Sequence, residues 1–138
     1  MYRVIIADEI TPFGDLGIRT YRLHTDYAPT PLKTCDNDIG EEIRNLWWSR
    51  CKHQMPEIRM IDIDSLVTDQ QGNSMIVLRE MYESAPSIHQ LQYLSSEFPL
   101  VVRYQGVNYL LDGNTRTVLI YTLGGKSVKC RFYNLDGV

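Results

Sequence analysis

An α/β fold of the α+β type, a small mixed β-sheet with helices packed on it in one domain, is the class this sequence predicts. Three observations carry the prediction. Apolar and polar residues alternate from Leu100 to Tyr104 and again from Val107 to Leu111, on either side of Gln105-Gly106, the pattern of a β-hairpin. Ile39, Ile43, Leu46 and Trp47 recur at helical spacing behind Asp36-Asn37-Asp38, whose side-chain oxygens suit a helix start. Asp112-Gly113-Asn114 then opens a further helix that Gly124-Gly125 closes ahead of a last strand, Ser127 to Tyr133.

The other elements follow in order. Residues 2 to 7 cluster β-branched side chains and read as a short strand, and a second strand fits around 18 to 24. The helix after Asp36 is expected over Ile39 to Lys52, with Glu41 and Glu42 suited to its positive end. Trp47 and Trp48 point about 100° apart on it, so at least one of them sits at the edge of the core or on a contact surface. Met55-Pro56 ends that helix, and Glu57 to Ile63 alternates like a half-buried strand. Ser74 to Glu83 reads as a helix with Ile76, Leu78 and Met81 inside, and Ser87 to Ser96 as another with Ile88, Leu91 and Leu94 on one side. Residues 1 to 55 are read as an N-terminal elaboration on a core that starts near Glu57.

Composition bounds the function. At 138 residues, with 43% apolar and 22% charged residues, the chain can bury a core without staples. A net charge of -3 gives no global field toward nucleic acid, so such binding needs a local basic patch. Three cysteines at irregular spacing, Cys35, Cys51 and Cys130, fit free thiols in a cytoplasm better than a disulfide framework. No apolar run approaches the ~20 residues that span a bilayer, and Met1-Tyr2-Arg3 runs into a strand-like segment and not a leader, so a cytoplasmic protein is expected.

Ile61-Asp62-Ile63-Asp64-Ser65-Leu66, a glutamine at Gln70 or Gln71, two helices, Pro99-Leu100-Val101-Val102-Arg103-Tyr104, and Tyr109-Leu110-Leu111-Asp112-Gly113-Asn114-Thr115-Arg116 with Gly124 follow one another in an order that resembles the ParB-like nuclease and sulfiredoxin superfamily, over about residues 58 to 134. In that superfamily a strand delivers the chain to a glycine-containing turn and a helix that begins with an arginine, often as D-G-N-H-R, G-E-R-R or G-C-H-R. The resemblance implies a nucleotide- or nucleic-acid-binding protein with DNase or nucleoside-triphosphatase activity, Asp112 and Arg116 as catalytic groups, and a nucleotide with magnesium as the cofactor to look for. It leaves open whether this chain catalyses anything. Asn114 stands where sulfiredoxin has its catalytic cysteine and Thr115 where it has a histidine, so sulfinic acid reduction is not expected. The histidine of D-G-N-H-R is likewise replaced by Thr115, which counts against nuclease chemistry. The sequence ends at Val138 without the helix-turn-helix domain of ParB, and a partition role is not expected.

The chemistry of the turn supports an anion site independently. A helix N-terminus presents unpaired N–H groups and partial positive charge, so Gly113, Asn114 and Thr115 can hold a phosphate or carboxylate, with Arg116 adding a charged fork and Thr117 a hydroxyl. The same residues serve equally well as architecture, with Asp112 or Asn114 capping the helix and Gly113 permitting the turn. On the last strand Lys129 and Arg131 share a face, with Arg103 nearby, as a strip for a nucleic-acid backbone or as a solvated edge. Cys51-Lys52-His53 with Cys35 lacks zinc spacing, and Asp62 with Asp64 fits a solvent face as well as a metal pair, so no metal site is assigned. His24, His53 and His89 sit in unrelated segments and form no triad by spacing. The competing reading is a non-catalytic interaction protein, encoded by a phage or mobile element, that keeps the fold and binds a host or partner protein, with an apolar patch around Trp47 and Trp48.

Overall fold

A computed structural model describes residues 2–4, 20–22, 27–94 and 97–137. The chain is α+β, and among the described residues four helices surround a mixed sheet. In order, the elements are β1 (Tyr2–Val4), β2 (Thr20–Arg22), β3 (Tyr27–Pro29), β4 (Lys33–Thr34), α1 (Asn37–Cys51), β5 (Glu57–Asp62), a 3₁₀ turn (Ile63–Ser65), β6 (Leu66–Thr68), β7 (Gly72–Ser74), α2 (Met75–Ser84), α3 (Ile88–Gln92), β8 (Leu100–Tyr104), β9 (Val107–Asp112), α4 (Asn114–Thr122) and β10 (Ser127–Asn134). The main sheet has six strands in the order β4-β6-β9-β8-β10-β5, while β1 pairs with β2 and β3 with β7. Strands β4, β6 and β9 run parallel, β8 and β10 run parallel to each other and opposite to β9, and β5 closes the far edge antiparallel to β10.

Both sheet faces are covered, which explains why Leu100, Val101 and Val102 are all buried. Val101, Leu110, Val128, Cys130 and Phe132 meet α2, α3 and α4 through Leu78, Leu91, Leu119 and Ile120. Leu100, Val102 and Leu111 meet α1 through Ile43 and Cys51. Strand β4 and helix α1 are therefore parts of the sheet and its second layer. The body of the fold begins well before Glu57, so the division at residue 55 is corrected: contacts of α1 with distant strands leave no mark in local periodicity.

The expected elements appear with shifted interiors. In β5 the alternation is real, but Ile58 and Met60 lie exposed and Ile61 is buried, because α1 does not extend over this edge strand. In α2, Met75 and Leu78 are buried while Ile76 faces solvent, and Ser74 caps the helix by accepting from the Val77 N–H. Helix α3 stops at Gln92 instead of running to Ser96. Gln92 donates to the Ser127 carbonyl and accepts from the Lys129 N–H, at 3.0 and 2.8 Å, and so occupies the edge of β10 that β8 does not reach. Leu94 is exposed as a result. Residues 5–7, the ends of the expected strand at 18–24, His24 and residues 95–96 lie outside the described residues. Among the described residues no helix is long and apolar enough to cross a membrane.

The β8–β9 hairpin turns through Gln105 and Gly106 at φ 51° and 78°, both left-handed, as a two-residue type I′ turn requires. Asp136 holds this turn from outside, accepting the Gln105 and Gly106 N–H groups at 2.6 and 2.8 Å. The Gly106 and Gln105 amides keep its carboxyl below the usual carboxylate range. A depressed folded-state pKa contributes stability above the unfolded value of about 3.9, and that contribution is lost as pH falls through the folded value. Asp136→Asn should therefore unfold at lower urea than wild type at pH 6, and the difference should close as both are acidified below the usual carboxylate range. A gap that persists unchanged at low pH would contradict this assignment.

Candidate functional site

The parallel strands β4, β6 and β9 all end at one edge of the sheet, and the residues that follow their carboxyl ends meet there: Asp36 ahead of α1, Asp69 and Gln70 after β6, and Asp112-Gly113 ahead of α4. In sheets of this kind ligands bind outside the carboxyl ends of parallel strands. Here that edge carries two adjoining cavities of about 290 and 510 Å³, which share Leu111 and Asp112 in their walls.

Gly113 is in the left-handed conformation, φ 86°, and a Cβ on it would stand 2.5 Å from the Cβ of Pro99. The glycine is thus required by close packing of the turn on the residue before β8. It is also the N-cap of α4, with no side-chain cap bond, so neither Asp112 nor Asn114 caps the helix. Asn114 is buried and its Oδ1 accepts from Thr68 Oγ1 at 2.6 Å, while that hydroxyl accepts from the Gln70 N–H at 3.1 Å. Thr117 is fully buried and its hydroxyl donates to the Gly113 carbonyl at 2.9 Å. The side chains of Asn114 and Thr117 thus act as framework beneath the site and are withdrawn from direct ligand contact. Asp112, Gly113 and half-buried Thr115 remain on the wall of the smaller cavity, with Gln70 opposite.

Arg116 also lines this cavity, but only 7% of its surface is exposed. Burial lowers its pKa, Asp112 partly offsets this, and Arg131 adds to the lowering by repulsion. An arginine stays charged under such a load. The guanidinium therefore provides positive potential under the helix start, in place of the solvent-facing fork expected from the sequence.

Two further arginines flank this turn, one of them in contact with Asp112. Arg131 donates from Nε to the Phe98 carbonyl at 2.7 Å and reaches Asp112 at 3.5 Å and Glu97 at 3.8 Å. Arg44, from α1, clasps Asp69 with both terminal nitrogens at 2.6 and 3.1 Å and donates to the Leu111 carbonyl at 2.9 Å. The hydrogen bonds that Arg44 donates to Asp69 raise its pKa, against burial. Gly40 makes this clasp possible, because a Cβ there would collide with the Asp69 carboxyl. The Asp112 and Glu97 side chains are 70% and 78% exposed, and exposed pairs at these distances contribute about 0–1 kcal/mol, so an arriving anion can displace them.

The chain matches no protein-family model, and no curated protein or solved structure matches it. Its chemistry is read from its own residues.

The expected basic strip does not assemble. Register places Arg131 beside Leu100 and Asn134 beside Arg103, so Arg103 projects from the face opposite Arg131, where it meets Asp136 at 3.8 Å. Lys129 shares the face of Arg131, but its Nζ sits over the Tyr93 and Phe98 rings at 4.5 and 5.3 Å. Arg103 is separated from the other two because successive residues of a strand point to opposite faces, and strand pairing decides which cations become neighbours. Among the described residues no group of three or more His, Cys, Asp or Glu is placed to hold a metal ion. Burial raises all three thiols, Cys130 to about 12, so none is primed as a nucleophile.

Arg44, Asp69 and Thr68 were not visible as site residues in the sequence. The one signal was indirect: Gly40 interrupts an otherwise good helix, and a glycine there costs about 1 kcal/mol relative to alanine unless something packs against it.

Proposed function

We propose that this chain is a ParB/sulfiredoxin-like protein that binds a nucleotide, with the phosphates at the Asp112–Arg116 turn. The observation that carries this reading is the start of α4 opening onto a cavity of about 290 Å³ that has the buried Arg116 in its wall. The backbone N–H groups of Asn114 and Thr115 lie in the first helical turn, where the helix itself provides no acceptor, so they supply the donors. Arg131 supplies a second charge once it leaves Asp112. Exposed Asp112 is then free to hold a magnesium ion through the phosphate oxygens or to take a proton in triphosphate or phosphodiester hydrolysis. A compact ligand fits this geometry better than a nucleic-acid backbone, which needs a continuous row of cations.

The test is a thermal-shift series with nucleoside mono-, di- and triphosphates, with and without magnesium. Binding to the folded state raises Tm by mass action, about 2.7 kcal/mol of stabilisation at a hundredfold excess over Kd. Arg116→Ala should abolish the shift, and because that side chain is buried, Thr115→Glu serves as the folded control. A carboxylate in the first turn favours the helix by about 0.3–1 kcal/mol yet repels phosphate. A Tm unmoved by every nucleotide, or an equal shift in Thr115→Glu, would end this reading. Turnover lost in Asp112→Asn would assign catalysis to the site.

The interaction-protein reading is favoured by one separate observation: Trp48, Met55, Ile58 and Met60 are 60%, 90%, 47% and 55% exposed. A pull-down that recovers a partner from wild type, and fails with Ile58→Asp/Met60→Asp, is its test.

A further inference from the structure

We propose that the second cavity, between α1 and the carboxyl end of β9, is the base-binding half of the same nucleotide site; this rests on the phosphate reading above. The cavity holds about 510 Å³, within the range of about 300–1,000 Å³ usual for a ligand site, and joins the phosphate cavity across Leu111 and Asp112. Its wall carries two aromatic side chains, Trp47 and Trp48, as well as Arg131. Trp48 is 60% exposed and leans on Trp47, ring centroids 5.9 Å apart and tilted by 60°. Trp47 is fixed from behind by an edge contact with Tyr133 at 5.7 Å, so Trp48 stands on a rigid support. An exposed indole on such a support, a few side chains from a cluster of arginines, offers a flat apolar surface to a ring whose other end is anionic. Asn45, exposed on the next position of the wall, carries both an amide donor and an acceptor for the edge of a base. Arg131 belongs to this wall and also contacts Asp112, so a single guanidinium can reach a phosphate on one side and the sugar or base on the other. Stacking on tryptophan tolerates every base, and Asn45 is the residue that would discriminate among them.

The two tryptophans are the only ones in the chain, so intrinsic tryptophan fluorescence reports on this cavity alone. Wild type should show saturable quenching by nucleoside triphosphates and none by tripolyphosphate, which fills only the phosphate half. Trp48→Ala should weaken nucleotide binding about tenfold or more in isothermal titration and leave tripolyphosphate binding unchanged. If nucleotide and tripolyphosphate bind equally, or if Trp48→Ala leaves nucleotide affinity intact, the base site is overturned while the phosphate site stands. If neither ligand binds, the phosphate reading fails and the base site falls with it.

Discussion

Gly113→Ala is expected to lower stability by about 2–5 kcal/mol, read as a fall in the urea midpoint at unchanged m-value. Two costs combine. A left-handed conformation penalises any L side chain by about 1–2 kcal/mol, and the new Cβ would stand 2.5 to 2.7 Å from the Cβ, Cα and Cγ of Pro99. Cα is backbone and cannot swing aside. Gly124 separates the two costs, since its φ is 93° but nothing lies within 4 Å of its Cβ position. Gly124→Ala should thus show the conformational cost alone, about 1–2 kcal/mol. Equal losses at the two positions would mean that Pro99 gives way and that the turn is looser than described.

The second large effect is at Thr68, whose hydroxyl joins the end of β6 to the start of α4. Thr68→Val keeps the shape and removes both hydrogen bonds, which leaves the buried Asn114 Oδ1 without its donor and the Gln70 N–H without its acceptor. An unsatisfied buried polar atom costs about 1–3 kcal/mol, so a loss of about 2–3 kcal/mol is expected. Thr68→Ser retains the hydroxyl and should lose only about 1 kcal/mol for the missing methyl. Chemical denaturation of the three proteins decides the matter. A valine variant as stable as the serine one would show that the hydroxyl contributes nothing. Because Asn114 opens α4, the valine variant should also lose part of any nucleotide-dependent rise in Tm, which ties the framework to the site.

The hairpin, α4 and β10 were legible in the sequence because each is defined by local signals: alternation, a two-residue turn at Gln105-Gly106, and glycines at both ends of a helix. Helix α1 was legible for the same reason, from Ile43 and Leu46. What sequence could not give is the partner of each face. Ile58 and Met60 alternate just as core residues do, yet they sit on an edge strand beyond the reach of α1. Asn114 and Thr117 are chemically suited to a ligand and are consumed instead by Thr68 and by the Gly113 carbonyl. Arg44 lies 25 residues from Asp69 and 67 from Leu111, and no local pattern announces contacts of that range. The Asp112–Arg116 turn stands out as a candidate in the sequence because its residues are contiguous; the other residues of the candidate site do not, because they are contiguous only in space.

The strand order has one more consequence. Strand β10 lies between β8 and β5, so β5, made early, has no neighbour in the sheet until residues 127 to 134 have been synthesised. A ribosome-bound chain shorter than that must carry Ile61 and its flanking strand without a hydrogen-bonding mate. Closure of the sheet is therefore a late event of high sequence separation, which slows folding and leaves a sticky edge open during synthesis. Nascent chains halted before Ser127 should be the ones that a holding chaperone captures.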